Sequence, residues 1–150
     1  MYDDVGRVSA ALCANGTELS PEEVSAMLGI APEYAHRVGQ PILNASGKQV
    51  DTRKTNYWMY GTSALVKSKD LDEHLRALLT IFVPRADAVH ELAKRSEVYV
   101  SAIWESAGLM WGAGPIISAA STRDIGVLGV EFHFDVYCSL EHEFSGSERG

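Results

Sequence analysis

The sequence has little cysteine and no long hydrophobic run. Its 150 residues include two cysteines, Cys13 and Cys138, which are too few for a disulfide scaffold or a thiolate metal site. We therefore expect both to be free thiols. No run approaches the roughly 20 apolar residues that cross a bilayer, and the first four residues include two aspartates where a secretory signal peptide carries positive charge. The sequence predicts a cytoplasmic protein without a membrane partner.

Basic residues are also scarce. There are 13 Lys and Arg against 20 Asp and Glu, which gives a formal charge of −7. Because clustered Lys and Arg supply most of the affinity for phosphate backbones, this balance argues against a nucleic-acid partner and favours a basic protein partner. The 46% hydrophobic and 22% charged content is typical of one globular domain. We predict a single domain over residues 1–140 and a flexible polar tail over residues 141–150.

No pattern in the sequence identifies a catalytic centre. Gly108, Gly112 and Gly114 lack the Lys-Ser/Thr ending of a phosphate-binding loop. His74 and His90 lack the spacing of a zinc-binding helix, so we interpret both as solvent-exposed helix residues. No serine stands in a nucleophile elbow. The sequence therefore predicts no cofactor, no metal and no catalytic residue with a recognisable motif.

The most distinctive stretch is a short capped helix. Ser20 is typical of a helix N-cap, Glu23 completes a capping box, and Gly29 is a typical stop. A second stretch resembles it, with Ser121 as the expected cap and Asp124 three positions later. Each predicted helix leads directly into an extended segment.

The rest of the chain follows two periodicities. Alternation favours strands over residues 5–14, 52–63, 97–105 and 130–139. Asp70 is the expected cap of the strongest helix, which Pro84 ends, and a further helix follows to about Lys94. The proline- and glycine-containing residues 31–50 are predicted to be an irregular connection.

Strand, capped helix and strand occur in this order twice, on either side of the long helices. This repeat predicts an α+β fold in which two β-α-β units form a four-stranded, mainly antiparallel sheet with the helices packed on one face. Such an arrangement is ferredoxin-like.

The residues also carry a family resemblance over about residues 5–137. The stretches that carry it are Ser20-Pro21-Glu22-Glu23-Val24, Leu28-Gly29-Ile30-Ala31-Pro32, Gly39, Thr55-Asn56-Tyr57-Trp58, Asp70-Leu71, His74-Leu75, Leu128-Gly129 and Phe134-Asp135-Val136-Tyr137. With them the chain resembles a bacterial family known as domain of unknown function 4279. The resemblance implies a shared fold, and it implies no particular activity, cofactor or catalytic residue.

Two groups of polar residues are candidates for ligand binding. His133 and Asp135 share one face of the last predicted strand, where an imidazole and a carboxylate are suited to acid–base chemistry. A half-exposed polar sheet face would explain the same pattern. His36 and Arg37, together with Arg53 and the lysine that follows it, are candidates for a small cationic patch that holds an anion.

Aromatic residues suggest an interaction surface. We expect Trp58, Trp104 and Tyr137 on an open face of the sheet, where they would be available to a ligand or a partner. Trp111 lies in a glycine-rich segment and is the other candidate, either as a core plug or as a contact residue.

Three functions fit these observations. The leading hypothesis is a non-enzymatic binding or interaction domain whose partner is a basic protein, as an immunity protein would bind a toxin. An alternative is a small-molecule-binding or hydrolytic enzyme with His133 and Asp135 in a cleft beside Arg53. A third is a self-associating module that forms a homodimer through the aromatic sheet face.

Overall fold

A computed structural model describes residues 5–106 and 114–138 of the chain. Within these ranges the chain forms two sheets and four α-helices, and a short 3₁₀ turn over Val83–Arg85 joins two of the helices. The elements are β1 (Val5–Gly16), α1 (Pro21–Leu28), β2 (Tyr34–His36), β3 (Pro41–Leu43), β4 (Gln49–Thr52), β5 (Asn56–Gly61), α2 (Leu71–Phe82), α3 (Ala86–Ala93), β6 (Glu97–Ser106), α4 (Ala119–Leu128) and β7 (Glu131–Cys138).

The main sheet is mixed and has five strands in the order β2-β5-β1-β6-β7, while β3 and β4 form a separate hairpin. Strands β2/β5, β5/β1 and β1/β6 are antiparallel, and β6/β7 are parallel. The α+β class is confirmed, but the predicted four-stranded ferredoxin-like arrangement is not, since the sheet has five strands and is mixed. The fifth strand, β2, lies in the connection that was expected to be irregular. It was not predicted because its three residues are too few to show a periodicity.

The two strand-helix-strand units are also not equivalent. In the first unit, β1 and β5 are antiparallel neighbours. In the second, α4 is a crossover between the parallel neighbours β6 and β7. The backbone register also places Cys13 opposite Tyr99 and Cys138 opposite Ser106, at opposite ends of β6. That separation excludes a disulfide within the chain, and Cys13 is a buried free thiol as expected.

One face of the sheet packs on the helices. On β1 and β6 every second side chain enters this core, and Trp58 of β5 and Phe132 of β7 join them. Burial of these apolar side chains supplies most of the stabilising free energy of such a layer. The core residues of β1 and β6 are Val8, Ala10, Leu12, Ala14, Val98, Val100, Ala102 and Trp104. The opposite face of the sheet carries the candidate site.

The helix ends confirm one predicted cap and correct the other. Ser20 caps α1, the Glu23 capping box is present, and Gly29 ends the helix with a φ of 68°. In the second capped helix the N-cap is Ser118, not Ser121. None of the helices within the described ranges combines the length and the apolar character that a membrane-spanning segment needs.

Ser121 is buried because it links α4 to α2. Its hydroxyl donates to Oδ1 of Asp72 at 2.7 Å, and the same oxygen accepts the Ser118 N–H at 2.9 Å. Burial alone would raise the pKa of Asp72, but these hydrogen bonds outweigh burial and hold the pKa below its ordinary value. A carboxylate on α2 therefore completes the N-terminus of α4.

His74 occupies the core and is not on a solvent-exposed face, which corrects the sequence interpretation. Its Nε2 donates to the Ser68 carbonyl at 2.8 Å, so Nδ1 accepts from the Thr62 hydroxyl at 2.7 Å. The Thr62 oxygen in turn accepts the Ala10 N–H at 3.1 Å. This chain of hydrogen bonds ties α2 to β1 through the residue that follows β5.

We predict that Asp72→Asn lowers the free energy of unfolding at neutral pH by about 1–2 kcal/mol, because it weakens charge-assisted hydrogen bonds to α4. The carboxylate has a depressed pKa in the folded state, so its contribution is present above the ordinary value of 3.8 and is lost as the pH falls through the folded value. Urea titrations from neutral to acid pH should show the two proteins converging.

Glu73→Gln is the control, since Glu73 is the exposed carboxylate next to Asp72. At neutral pH it should change the free energy of unfolding by less than about 0.5 kcal/mol. Equal losses in the two variants would contradict the role assigned to Asp72.

Candidate functional site

The face of the main sheet opposite the helices contains a groove of about 320 Å³. Its central floor is made by short side chains, Ser9 and Ala11 of β1 and Ser101 of β6. Larger side chains border this floor, namely Tyr57, Met59, Tyr99 and Ile103. A row of small residues between rows of large ones is what makes an otherwise pleated surface concave.

Charged residues stand around the groove. Arg7 lies toward the start of β1, Glu33 on the β5 side and Asp135 on the β7 side. The backbone N–H of Glu33 donates to the Met59 carbonyl at 2.8 Å, which fixes this residue beside β5. Its side chain passes over Gly61, where a Cβ atom would lie 2.5 Å from a Glu33 carboxylate oxygen. Gly61 therefore leaves room for this carboxylate at the groove.

A buried thiol lies between two tyrosines at one end of the groove. The Tyr57 hydroxyl donates to the sulfur of Cys13 at 3.2 Å, and Tyr99 is the direct cross-strand neighbour of Cys13. Burial raises the pKa of Cys13, and burial likewise raises the pKa of Tyr57 and of Tyr99. All three groups remain protonated at neutral pH, so Cys13 is not an activated nucleophile.

His133 faces the same end of the groove in a fixed orientation. Its ring stacks on Tyr99 with centroids 4.1 Å apart, and its Nε2 lies 2.9 Å from a carboxylate oxygen of Glu131. Sequence reasoning paired His133 with Asp135, which lines the groove two residues further along β7. Among the described residues the carboxylate bonded to His133 is Glu131. An imidazole held by a carboxylate is a competent general base.

Glu97 of β6 joins this pair. Ligand atoms of Glu97, Glu131 and His133 all lie within 4.8 Å of one another, so among the described residues these three could hold a metal ion. Glu97 and Glu131 are exposed, and His133 is partly buried. The arrangement concentrates negative charge beside the aromatic end of the groove.

The basic residues of the predicted anion patch already have local partners. Arg37 forms an ion pair with Glu22 of α1, on the helix side of the sheet. His36 lies on the groove side, where it stacks on Tyr57 with centroids 5.4 Å apart. Burial and the nearby Arg53 lower the pKa of His36, so its imidazole is neutral at neutral pH. Arg53 itself donates to the Tyr34 hydroxyl at 3.4 Å and does not line the groove.

The predicted tryptophan surface is wrong for the described residues. Trp58 is 1% exposed and Trp104 is 6% exposed, since both belong to the core under the helices. The indole N–H of Trp58 donates to the Ser25 hydroxyl of α1 at 3.0 Å. Tyr137 lies on the opposite, open face and is exposed. Trp111 lies outside the described residues.

Most of the groove residues were not predicted, because they belong to the polar or small-residue half of each strand alternation. The signal was present in the sequence: Ser9, Ala11 and Cys13 alternate with core positions of β1, and Tyr99 and Ser101 do the same on β6. Glu33 had no such signal, because it enters the groove from a loop.

We predict that Cys13→Ala reduces the steepness with which the free energy of unfolding falls at alkaline pH. The unfolded chain releases the thiol proton near the ordinary pKa of 9.0, whereas the folded chain retains it, so the free energy of unfolding falls as the pH rises above that value. The thiol contributes at most about 1.4 kcal/mol per pH unit to this slope.

Thermal or urea unfolding between about pH 8 and pH 10.5 measures the slope, which is independent of any constant cost of the substitution. Ser9→Ala, which changes a non-titrating groove residue, should keep the wild-type slope. A Cys13→Ala slope as steep as that of the wild type would contradict the assignment.

Comparisons with known proteins identify the family of this chain. No curated protein and no solved structure matches the chain. The family described as "Domain of unknown function (DUF4279)" matches residues 6–139, which is most of the sequence. The resemblance noted in the sequence is thereby confirmed, and the chain belongs to the DUF4279 family.

Proposed function

We propose that this protein is a non-enzymatic binding domain that holds a small molecule in the groove of its open sheet face. The observation that carries the proposal is the groove itself, whose volume of about 320 Å³ lies at the lower end of the range of small-ligand pockets. Its floor of short side chains is bordered by apolar and aromatic residues, with a few charged groups at its margins. The burial of Trp58 and Trp104 removes the anchors of a protein interface from this face.

A basic protein partner also remains a proposal, which the negative charge of this protein supports. The net charge of −7 supports it, and a basic surface would meet carboxylates around the groove. Homodimer formation also remains a proposal, supported by the exposed Tyr137 on β7, which is a terminal strand of the five-stranded sheet as described. The concave shape of the groove favours a small ligand over both.

We predict that Ser101→Tyr abolishes ligand binding while the protein stays folded. Ser101 lies on the groove floor and outside the hydrophobic core, so a phenol ring there fills the cavity without displacing core side chains. Saturation-transfer NMR with a library of small water-soluble compounds detects binding to the wild type. Thr122→Tyr, on an exposed position of α4, is the matched control.

The expected result is a set of compounds that bind the wild type and Thr122→Tyr and do not bind Ser101→Tyr. If the library yields no binder to the wild type, or if the same compounds bind Ser101→Tyr equally well, the groove is not the binding site.

The Glu131–His133 pair favours a hydrolytic enzyme as the second candidate. With Nε2 of His133 held 2.9 Å from the carboxylate and the ring facing the groove, the pair could activate a water molecule. This candidate predicts turnover of simple 4-nitrophenyl esters or phosphate esters, with a loss of about 100-fold or more in His133→Gln. Absence of turnover by the wild type, or equal turnover by the variant, removes the candidate.

A further inference from the structure

The groove is set in an acidic surface. Among the residues that the structure describes, five carboxylates lie on the open face: Glu33 and Asp135 line the groove, and Glu97, Glu105 and Glu131 share the strand faces of groove residues. Among the described groove-lining residues Arg7 is the basic one with a permanent charge, while Arg53 lies against Tyr34 at the β2 edge and Lys67 donates to the Ser63 carbonyl. The excess of negative charge favours a cationic ligand.

The aromatic end of the groove suits a cation as well. Tyr99 stacks on His133 and Tyr57 stacks on His36, so two aromatic pairs stand on either side of Cys13. The face of an electron-rich ring attracts an ammonium or guanidinium group within about 6 Å. Since burial raises the pKa of both tyrosines, these rings remain neutral phenols.

Two carboxylates beside this end are close enough to repel each other. Oxygen atoms of Glu97 and Glu131 lie within the 4.8 Å cluster that also contains a nitrogen of His133. Like charges at this separation are unfavourable even when partly solvated, and a cation placed between them relieves the repulsion.

Arg7 does not oppose a cation at this position. It lies six residues before Cys13 on β1, which is a distance of about 20 Å along an extended strand. The backbone N–H of Arg7 donates to a Glu105 carboxylate oxygen at 3.3 Å, which places a negative group beside the Arg7 backbone.

Apolar side chains lie between the charged margins. Ala11, Met59 and Ile103 line the groove between Glu33 on one side and Asp135 on the other. A hydrocarbon chain that extends from a cationic head group would pack against these side chains and lose contact with water.

From these observations we infer that the ligand is a small organic cation, an ammonium or guanidinium group on a short apolar chain, whose head group lies between the tyrosine rings and the carboxylates of Glu97 and Glu131. This inference rests on the proposed function of the groove, and it names the chemical class of the ligand.

The test is a titration of the ¹⁵N-labelled protein with three compounds of equal chain length: n-pentylamine, 1-pentanol and pentanoate. The amine should shift the amide signals of groove residues and bind about tenfold more tightly than the alcohol, and pentanoate should bind most weakly. Glu97→Gln and Glu131→Gln should each weaken amine binding by about fivefold to tenfold and leave alcohol binding unchanged. Glu73→Gln, which removes an exposed carboxylate from α2, should have no effect on any of the three.

The possible failures differ from one another. If the alcohol or pentanoate binds the groove as well as the amine does, the ligand is not a cation, and the groove remains a binding site. If Mn²⁺ or Zn²⁺ binds at Glu131 and the amine does not, the cluster is a metal site and the inference is overturned. If a basic protein such as cytochrome c shifts the groove signals and the amine does not, the inference fails in favour of a protein partner. The proposed function fails only if no compound, in this series or in the larger library, binds the groove of the wild type.

Discussion

The packing of β1 and β6 under the helices is the constraint on which the rest of the structure depends. These two strands are antiparallel neighbours at the centre of the sheet, and α2 packs on both. Because side chains of a strand alternate between faces, the register that places Leu12 and Val100 in the core also places Cys13 and Tyr99 on the open face. A shift of one residue would exchange the two sets and destroy core and groove together.

Hydrogen bonds join the groove to the helix layer at Thr62. This buried residue lies between Gly61 and Ser63, which both line the groove, and it is bonded to His74 of α2 and to Ala10 of β1. The Glu33 carboxylate at the groove margin is linked to this network through the residue next to Thr62, since the Ser63 hydroxyl donates to that carboxylate at 3.3 Å. A binding site supported in this way is preorganised and loses less conformational entropy when a ligand binds.

Strong local signals in the sequence predicted the parts of the fold that local chemistry determines. The α1 caps at Ser20 and Gly29 and the core alternation of β6 were correct, because capping and periodicity depend on near neighbours in the chain. The pairing of β7 with β6 in parallel requires α4 to cross over between them. The capped-helix pattern at Ser121 predicted a helix and did not show where that helix leads the chain. His74 was misplaced for a similar reason, since its hydrogen-bond partner Thr62 lies twelve residues away in sequence.

The candidate site was only partly predictable: His133 and Asp135 were found on one strand face, whereas Glu33 and the thiol between two tyrosines come together only in the folded sheet.

The helices close one face of the sheet and leave the other face open. Hydroxyl-radical footprinting read by mass spectrometry tests this arrangement most directly, because tryptophan is intrinsically at least as reactive as tyrosine. Trp58 and Trp104 should be strongly protected in the folded protein, while Tyr34 and Tyr137, which are 45% and 56% exposed on the open face, should be labelled readily. Labelling of either tryptophan as fast as these tyrosines would contradict the assignment of the two faces.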